Sequence, residues 1–163
     1  MRFAIGDKVV HPIQGAGKVV DIKEIDIDNK MVLYYEIEFN GGKMITNVPV
    51  ENADNIGLRE IITPEEAKKV IESFCTYEVK IDSNWNKRQR ENIEKLRSGN
   101  IYIVLEVLKE LMYRDHIKGL STSERKTLAT AKQIVLSEVV MSGYIDLESL
   151  EEILNDAVDM MIE

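Results

Sequence analysis

The sequence predicts an α+β protein in which a small antiparallel β-barrel or curled sheet over residues 1–62 precedes an all-α bundle of about five helices over 63–163. In the first sixty positions, short β-branched and aromatic runs alternate with turn residues. Near residue 60 the apolar period changes from two to 3.6. Beyond it, helix-capping signals open apolar stripes at helical spacing. With 163 residues and 44% hydrophobic content, the chain can bury two small cores.

The strand candidates are Phe3 with Ile5, Val9-Val10, Val19-Val20 with Ile22, Ile25 with Ile27, Met31 to Phe39, and Met44 to Val50. Gly6-Asp7, Pro12, Gly15-Ala16-Gly17, Asp28-Asn29-Lys30 and Asn40-Gly41-Gly42 punctuate them with turn chemistry. Asn40-Gly41 between Phe39 and Met44 is a hairpin signal. Tyr35, Ile37 and Phe39 share one face of their strand, with Glu36 and Glu38 outward on the other, as in a half-buried strand. Gly15-x-Gly17 has neither a following helix nor a Lys-Ser/Thr pair, so a turn needing positive φ explains it better than a phosphate loop.

Thr63-Pro64-Glu65-Glu66 combines a capping box with proline at the first helical position, and Ala67, Val70, Ile71 and Phe74 follow at helical spacing. A helix over about 64–76 results. A second runs from about Asn84 to Arg97 and stops at Ser98-Gly99. Ile101, Val104, Leu105, Leu108, Leu111 and Met112 stripe a third, which ends near Gly119. Ser121-x-x-Glu124 opens a fourth along Leu128, Ala131, Ile134, Val135 and Val139 towards Gly143. Asp146 caps a fifth, with Leu147, Leu150, Ile153, Leu154, Ala157, Val158 and Met161.

Composition narrows the function. No run of about 18 uncharged apolar residues is present and the start lacks a signal-peptide pattern, so the expectation is a soluble, cytoplasmic protein without membrane attachment. The single cysteine, Cys75, excludes an internal disulfide and falls on the apolar side of its helix, where a buried inert thiol is expected. His11 and His116 lie far apart in sequence. No metal centre, cofactor site or catalytic constellation can be assembled, and an enzyme is not expected.

The formal charge is −8, but it is unevenly distributed. Residues 80–132 hold 12 Lys and Arg against 7 Asp and Glu, whereas residues 133–163 hold none against 8. An acidic whole repels phosphate at long range, so any DNA binding should be local and assisted by another contact. The basic segment contains the only tryptophan, in Asn84-Trp85-Asn86-Lys87-Arg88-Gln89-Arg90. An aromatic beside cations offers a stacking surface plus phosphate neutralisation, and base stacking is worth ~1–3 kcal/mol. Two readings of Trp85 stand. At 100° per residue it lies within about 80° of Ile93 and Leu96, on the apolar side of its helix. Polar Gln89 and Asn92 intervene, however, and Leu96 is about 16 Å along the axis, which allows the ring to project at the helix tip. Lys87, Arg88, Arg90, Lys95 and Arg97 lie on the opposite arc, interleaved with Glu91 and Glu94.

Phe3-x-Ile5-Gly6-Asp7-x-Val9-Val10-x-Pro12-x-x-Gly15-x-Gly17-x-Val19 resembles the opening of the CarD family of bacterial transcription regulators. Val48-Pro49-x-Glu51-Asn52-Ala53 with Gly57-Leu58-Arg59, Asn84-Trp85-Asn86-x-Arg88, Glu94-Lys95-Leu96-x-Ser98-Gly99 and Gly119-Leu120-Ser121-x-x-Glu124 continue the resemblance along nearly the whole chain. Transcription-repair coupling factors share a similar opening module, but they also carry a helicase motor, and no Walker-type motif occurs here.

The resemblance implies that residues 1–62 form a Tudor-like barrel that pairs an edge strand, around Lys43, Met44, Ile45, Thr46, Asn47 and Val48, with the β subunit of RNA polymerase. Residues 63–163 then face promoter DNA at the upstream edge of the melted region. Trp85 is the implied minor-groove wedge, with Asn84, Lys87, Arg88 and Arg90 as its DNA-contacting neighbours. Ile25 and Asn47 depart from the pattern, standing where some members carry arginine. The competing expectation is an interaction scaffold, in which the barrel binds a partner and Trp85 is buried in a structural helical domain.

Overall fold

A computed structural model describes residues 1–80 and 83–162. Five antiparallel strands come first: β1 (Lys8–His11), β2 (Gly15–Ile27), β3 (Lys30–Phe39), β4 (Met44–Pro49) and β5 (Arg59–Glu60). Their order across the sheet is β4-β3-β2-β1-β5. The sheet wraps one apolar cluster of Phe3, Val9, Val19, Tyr35, Ile37, Phe39, Val48, Ala53 and Leu58. It is a small Tudor-like barrel left open between its edge strands.

Local chemistry sets the strand ends. Asp28 and Asn29 both take positive φ, 51° and 67°, and Ile27 pairs with Lys30, so β2 and β3 are joined by a two-residue turn that Asp and Asn tolerate. Ile22, Ile25 and Ile27 accordingly lie on the same strand as Val19 and Val20. Asn40, Gly41 and Gly42 reverse the chain between Phe39 and Met44, as the Asn-Gly signal indicates. Tyr35, Ile37 and Phe39 are buried in alternation. Phe3 and Ile5 lie outside the strands. Phe3 is buried with its ring edge-on to Tyr35 at 5.6 Å, while Ile5 is exposed.

Gly15-Ala16-Gly17 is the start of β2 and not a turn. Gly15 does take positive φ, +83°, but its second constraint is space, since a Cβ there would stand 2.5 Å from Ser137 Oγ and 2.9 Å from the Gln133 carbonyl. At Gly17 a Cβ would fall 2.6 Å from the Phe39 ring. Both glycines therefore serve close packing, one between the sheet and the helices and one within the sheet.

The helices are α1 (Pro64–Thr76), α2 (Trp85–Leu96), α3 (Ile101–Ile117), α4 (Thr122–Met141) and α5 (Leu147–Asp159). Thr63, Asn84, Ser121 and Asp146 each cap the following helix through a side-chain oxygen, and Ser121 with Glu124 completes a reciprocal capping box. α3 runs through the second core, packed by α1, α4 and α5 around Phe74, Leu105, Leu108, Leu111, Val139, Leu150 and Val158. Its Lys109 is buried, and the ammonium donates to the carbonyls of Phe74 at 2.6 Å, Cys75 at 3.2 Å and Tyr77 at 2.8 Å. A cation thus satisfies the orphan carbonyls at the α1 C-terminus. Cys75, against expectation, is exposed, because α1 turns its Val70–Phe74 side inward one position earlier.

Sheet and helices meet where α4 packs on β2, with side chains of β1 and β5 reaching it. Glu138 is 0% exposed and accepts both terminal guanidinium nitrogens of Arg59 at 2.7 Å, plus the Ile62 backbone N–H at 3.0 Å. Arg59 Nε donates onward to the Gly99 carbonyl at 3.1 Å. The Ala16 N–H donates to Ser137 Oγ at 2.9 Å, and Lys8 Nζ to the Met141 carbonyl at 2.9 Å. Removing one partner of a buried pair is costly because the other is left uncompensated, though Arg59 keeps partial access to water. Glu138→Ala should therefore destabilise by about 2–3 kcal/mol, read as a lower urea midpoint. Gly15→Ala should cost about 1–3 kcal/mol through overpacking against α4, measured the same way.

Candidate nucleic-acid interface

Asn84 Oδ1 accepts the Lys87 N–H at 3.1 Å, and this cap makes Trp85 the first residue of α2. At that position the ring lies beyond the apolar stripe, which reaches the helical core only at Leu96. Trp85 belongs to neither hydrophobic cluster and is 43% exposed. Projection at the helix tip is thus the arrangement adopted. Its covered side is not apolar packing alone, because the indole Nε1–H donates to Glu124 Oε1 at 3.3 Å.

Glu124, in the first turn of α4, is 4% exposed and gathers several donors. Ser121 Oγ reaches Oε1 at 3.2 Å, Arg114 Nη1 reaches Oε2 at 3.1 Å, and Arg88 Nη2 lies 3.6 Å from Oε2. Burial pushes the Glu124 carboxyl up, but the Trp85 hydrogen bond, the Arg114 charge and the Ser121 contacts outweigh it and hold the carboxyl below its usual value. One turn along α2, Gln89 Nε2 donates to Thr127 Oγ1 at 3.2 Å. The N-terminal halves of α2 and α4 are therefore joined by polar bonds.

The five DNA-binding candidates separate. Asn84, Trp85, Lys87 and Arg90 are exposed at one end of the bundle, and Lys87 also stands 4.0 Å from Glu91 one turn on. Arg88 is 6% exposed, with its guanidinium directed inward at Glu124. Sequence spacing put Arg88 on the cationic arc beside Lys87. The three-dimensional reason for its inward course is a carboxylate on α4 that helical periodicity in α2 cannot reveal. Glu124 itself was legible only as a capping residue and a position of the family pattern, and Arg114 not at all.

Behind Arg88, Asn92 and Glu110 continue the buried polar layer. Burial raises the Glu110 pKa, against opposing contributions from Asn92, Lys95, Arg88 and Arg114.

At the far side of the sheet, β4 is an edge strand, hydrogen-bonded among the described residues to β3 alone. Lys43, Met44, Ile45 and Asn47 are exposed, the Thr46 hydroxyl donates to Gln14 Oε1 at 3.1 Å, and Val48 is buried in the sheet core. The outer edge of β4 is thus flanked by exposed apolar side chains. Asn47 pairs with Glu36, and Ile25 sits on the β2–β3 hairpin opposite Val32.

Residues 3–62 match the family model described as the CarD-like/TRCF RID domain, and residues 69–155 match the one described as CarD, C-terminal domain. The chain belongs to the CarD family. A Bacillus subtilis (strain 168) relative, named "Putative transcription factor YdeB", is 28% identical over 137 residues, covering 84% of this chain and 90% of the relative. As a CarD-family transcription regulator, the protein has a transcription-related role. None of its described helices is long and apolar enough to cross a membrane.

The opposed titrations of Glu110 and Glu124 give this site a pH signature. Glu124, with its lowered pKa, supplies stability that is present above its unfolded value and lost as pH falls through the folded one. Glu110, with its raised pKa, does the reverse: its contribution is complete below the unfolded value and lost as pH rises through the folded one. Glu110→Gln should therefore raise the urea midpoint at neutral pH, and the gain should vanish near pH ~4, around the unfolded carboxylate pKa.

Proposed function

We propose that this CarD-family protein binds the RNA polymerase β subunit through the β4 edge, over Lys43–Val48, and stabilises promoter open complexes by placing Trp85 at the upstream edge of the melted DNA. Residues 1–62 are then the polymerase-interacting domain and residues 63–163 the DNA-contacting one. The observation that carries this reading is Trp85 itself: a large aromatic, half-exposed at a helix tip, outside both cores and flanked by exposed Asn84, Lys87 and Arg90. A scaffold with a structural helical domain would bury that ring.

The physics is a differential affinity. A ring that inserts beside unstacked bases binds melted DNA better than closed duplex and so shifts the promoter equilibrium towards the open complex. About 1.4 kcal/mol, within the range of a single stacking contact, suffices for tenfold. Lys87 and Arg90 bring phosphate neutralisation, which alone is too little for a chain of formal charge −8. Attachment to polymerase supplies the missing local concentration. The exposed backbone edge of β4 supports attachment by strand addition, a mode that does not require the arginines replaced by Ile25 and Asn47.

In open-complex lifetime assays with cognate RNA polymerase, Trp85→Ala should keep the wild-type fold and polymerase binding but lose about tenfold of the wild-type effect. Ile45→Asp, on the exposed face of β4, should weaken polymerase binding while leaving the circular dichroism spectrum unchanged. Full activity of Trp85→Ala would exclude the wedge.

A further inference from the structure

The geometry points to Glu124 as the positioning residue of Trp85: a buried carboxylate, itself clamped by Arg114, Arg88 and Ser121, that holds the indole in one orientation at the tip of α2. This inference rests on the reading of Trp85 as the DNA-facing group.

An indole that is 43% exposed can give its N–H to water, so its solvation does not require a protein acceptor. Instead the N–H meets a carboxylate that is 4% exposed. That carboxylate cannot turn freely. Oε1 also accepts from Ser121 Oγ at 3.2 Å, while Oε2 faces Arg114 at 3.1 Å and Arg88 at 3.6 Å. Both oxygens are therefore engaged from three directions, and rotating the group breaks a capping box and two ionic contacts together. The Gln89–Thr127 bond, one turn along, keeps the two helices in step. The indole plane is tied to α4 and not only to its own helix.

The consequence for DNA binding is preorganisation. A side chain that must enter a gap between bases loses rotamer freedom on doing so, and a ring already held loses less. Arg88 belongs to this anchor, which separates it in role from exposed Arg90. Two basic residues within one turn thus act differently, one by holding the ring and the other by meeting phosphate.

Trp85 is the only tryptophan of this sequence, so the 163-residue chain has a single indole N–H resonance. Its hydrogen exchange should be at least about tenfold slower than in an unstructured tryptophan peptide. Glu124→Gln should shift that resonance and remove most of the protection, whereas Glu148→Gln, at an exposed position of α5, should do neither. An unprotected indole in the unsubstituted protein overturns the proposal, and that arm decides even if Glu124→Gln does not fold. A resonance indifferent to Glu124→Gln in a folded variant overturns it as well. With cognate polymerase, Glu124→Gln should shorten the open-complex lifetime by about threefold or more and add nothing in a Trp85→Ala background, because coupled residues are non-additive. An equal further loss in that background also overturns the proposal. If the indole is protected through Glu124 while Trp85→Ala leaves the lifetime unchanged, the anchor stands and the wedge reading falls.

Discussion

Glu138 is a carboxylate with no solvent exposure, placed on a long helix whose neighbours are Ile134, Val135 and Val139. Such a charge is tolerated only when it is paired and hydrogen-bonded, and Arg59, on the last strand of the sheet, supplies both guanidinium bonds. Ile62 N–H completes the set from the chain leading into α1. One buried group therefore ties the end of the sheet, the start of the helical part and the C-terminal turn of α4. With Gly15 leaving no room between β2 and α4, the two cores are held in register across this joint. Trp85 on α2 and the β4 edge strand inherit their relative placement from it.

The same physical device recurs at the other end of α4. Glu124, like Glu138, is a nearly buried carboxylate matched by guanidinium groups, but there it also accepts a hydrogen bond from an exposed aromatic. α4 thus carries two ionic anchors about fourteen residues apart, one for the sheet and one for Trp85. That spacing corresponds to roughly 20 Å of rigid helix, at 1.5 Å per residue. The sheet and the α2 tip carrying Trp85 are in this way mounted on one shared strut.

Charge distribution follows the same division. The cations gather on α2, α3 and the start of α4, and the last helix is strongly acidic. Local attraction for phosphate is thereby greater on these helices than on the last one, with the net charge opposing indiscriminate DNA association. Lys109 lies outside this scheme. Its ammonium is spent on the carbonyls at the end of α1, which shows why a count of basic residues overstates the cationic surface.

How much was legible beforehand depends on the range of the forces involved. Thr63-Pro64, Ser121-x-x-Glu124 and Asp146 act within one helical turn, so helix starts follow directly from the chain. The alternation of Tyr35, Ile37 and Phe39 likewise identifies the buried strand face, since a side-chain period of two is local geometry. Gly15-x-Gly17 failed as a turn because its glycines answer to Ser137 and Phe39, which are distant in sequence. Arg88 and Glu138 have the same explanation: helical periodicity assigns a face but cannot name the oppositely charged partner waiting on another element. The sequence by itself determined most of the elements, the two cores and the family, and left both readings of Trp85 open. Tertiary structure alone decided which charges turn inward, because only packing brings a carboxylate and a guanidinium together out of water.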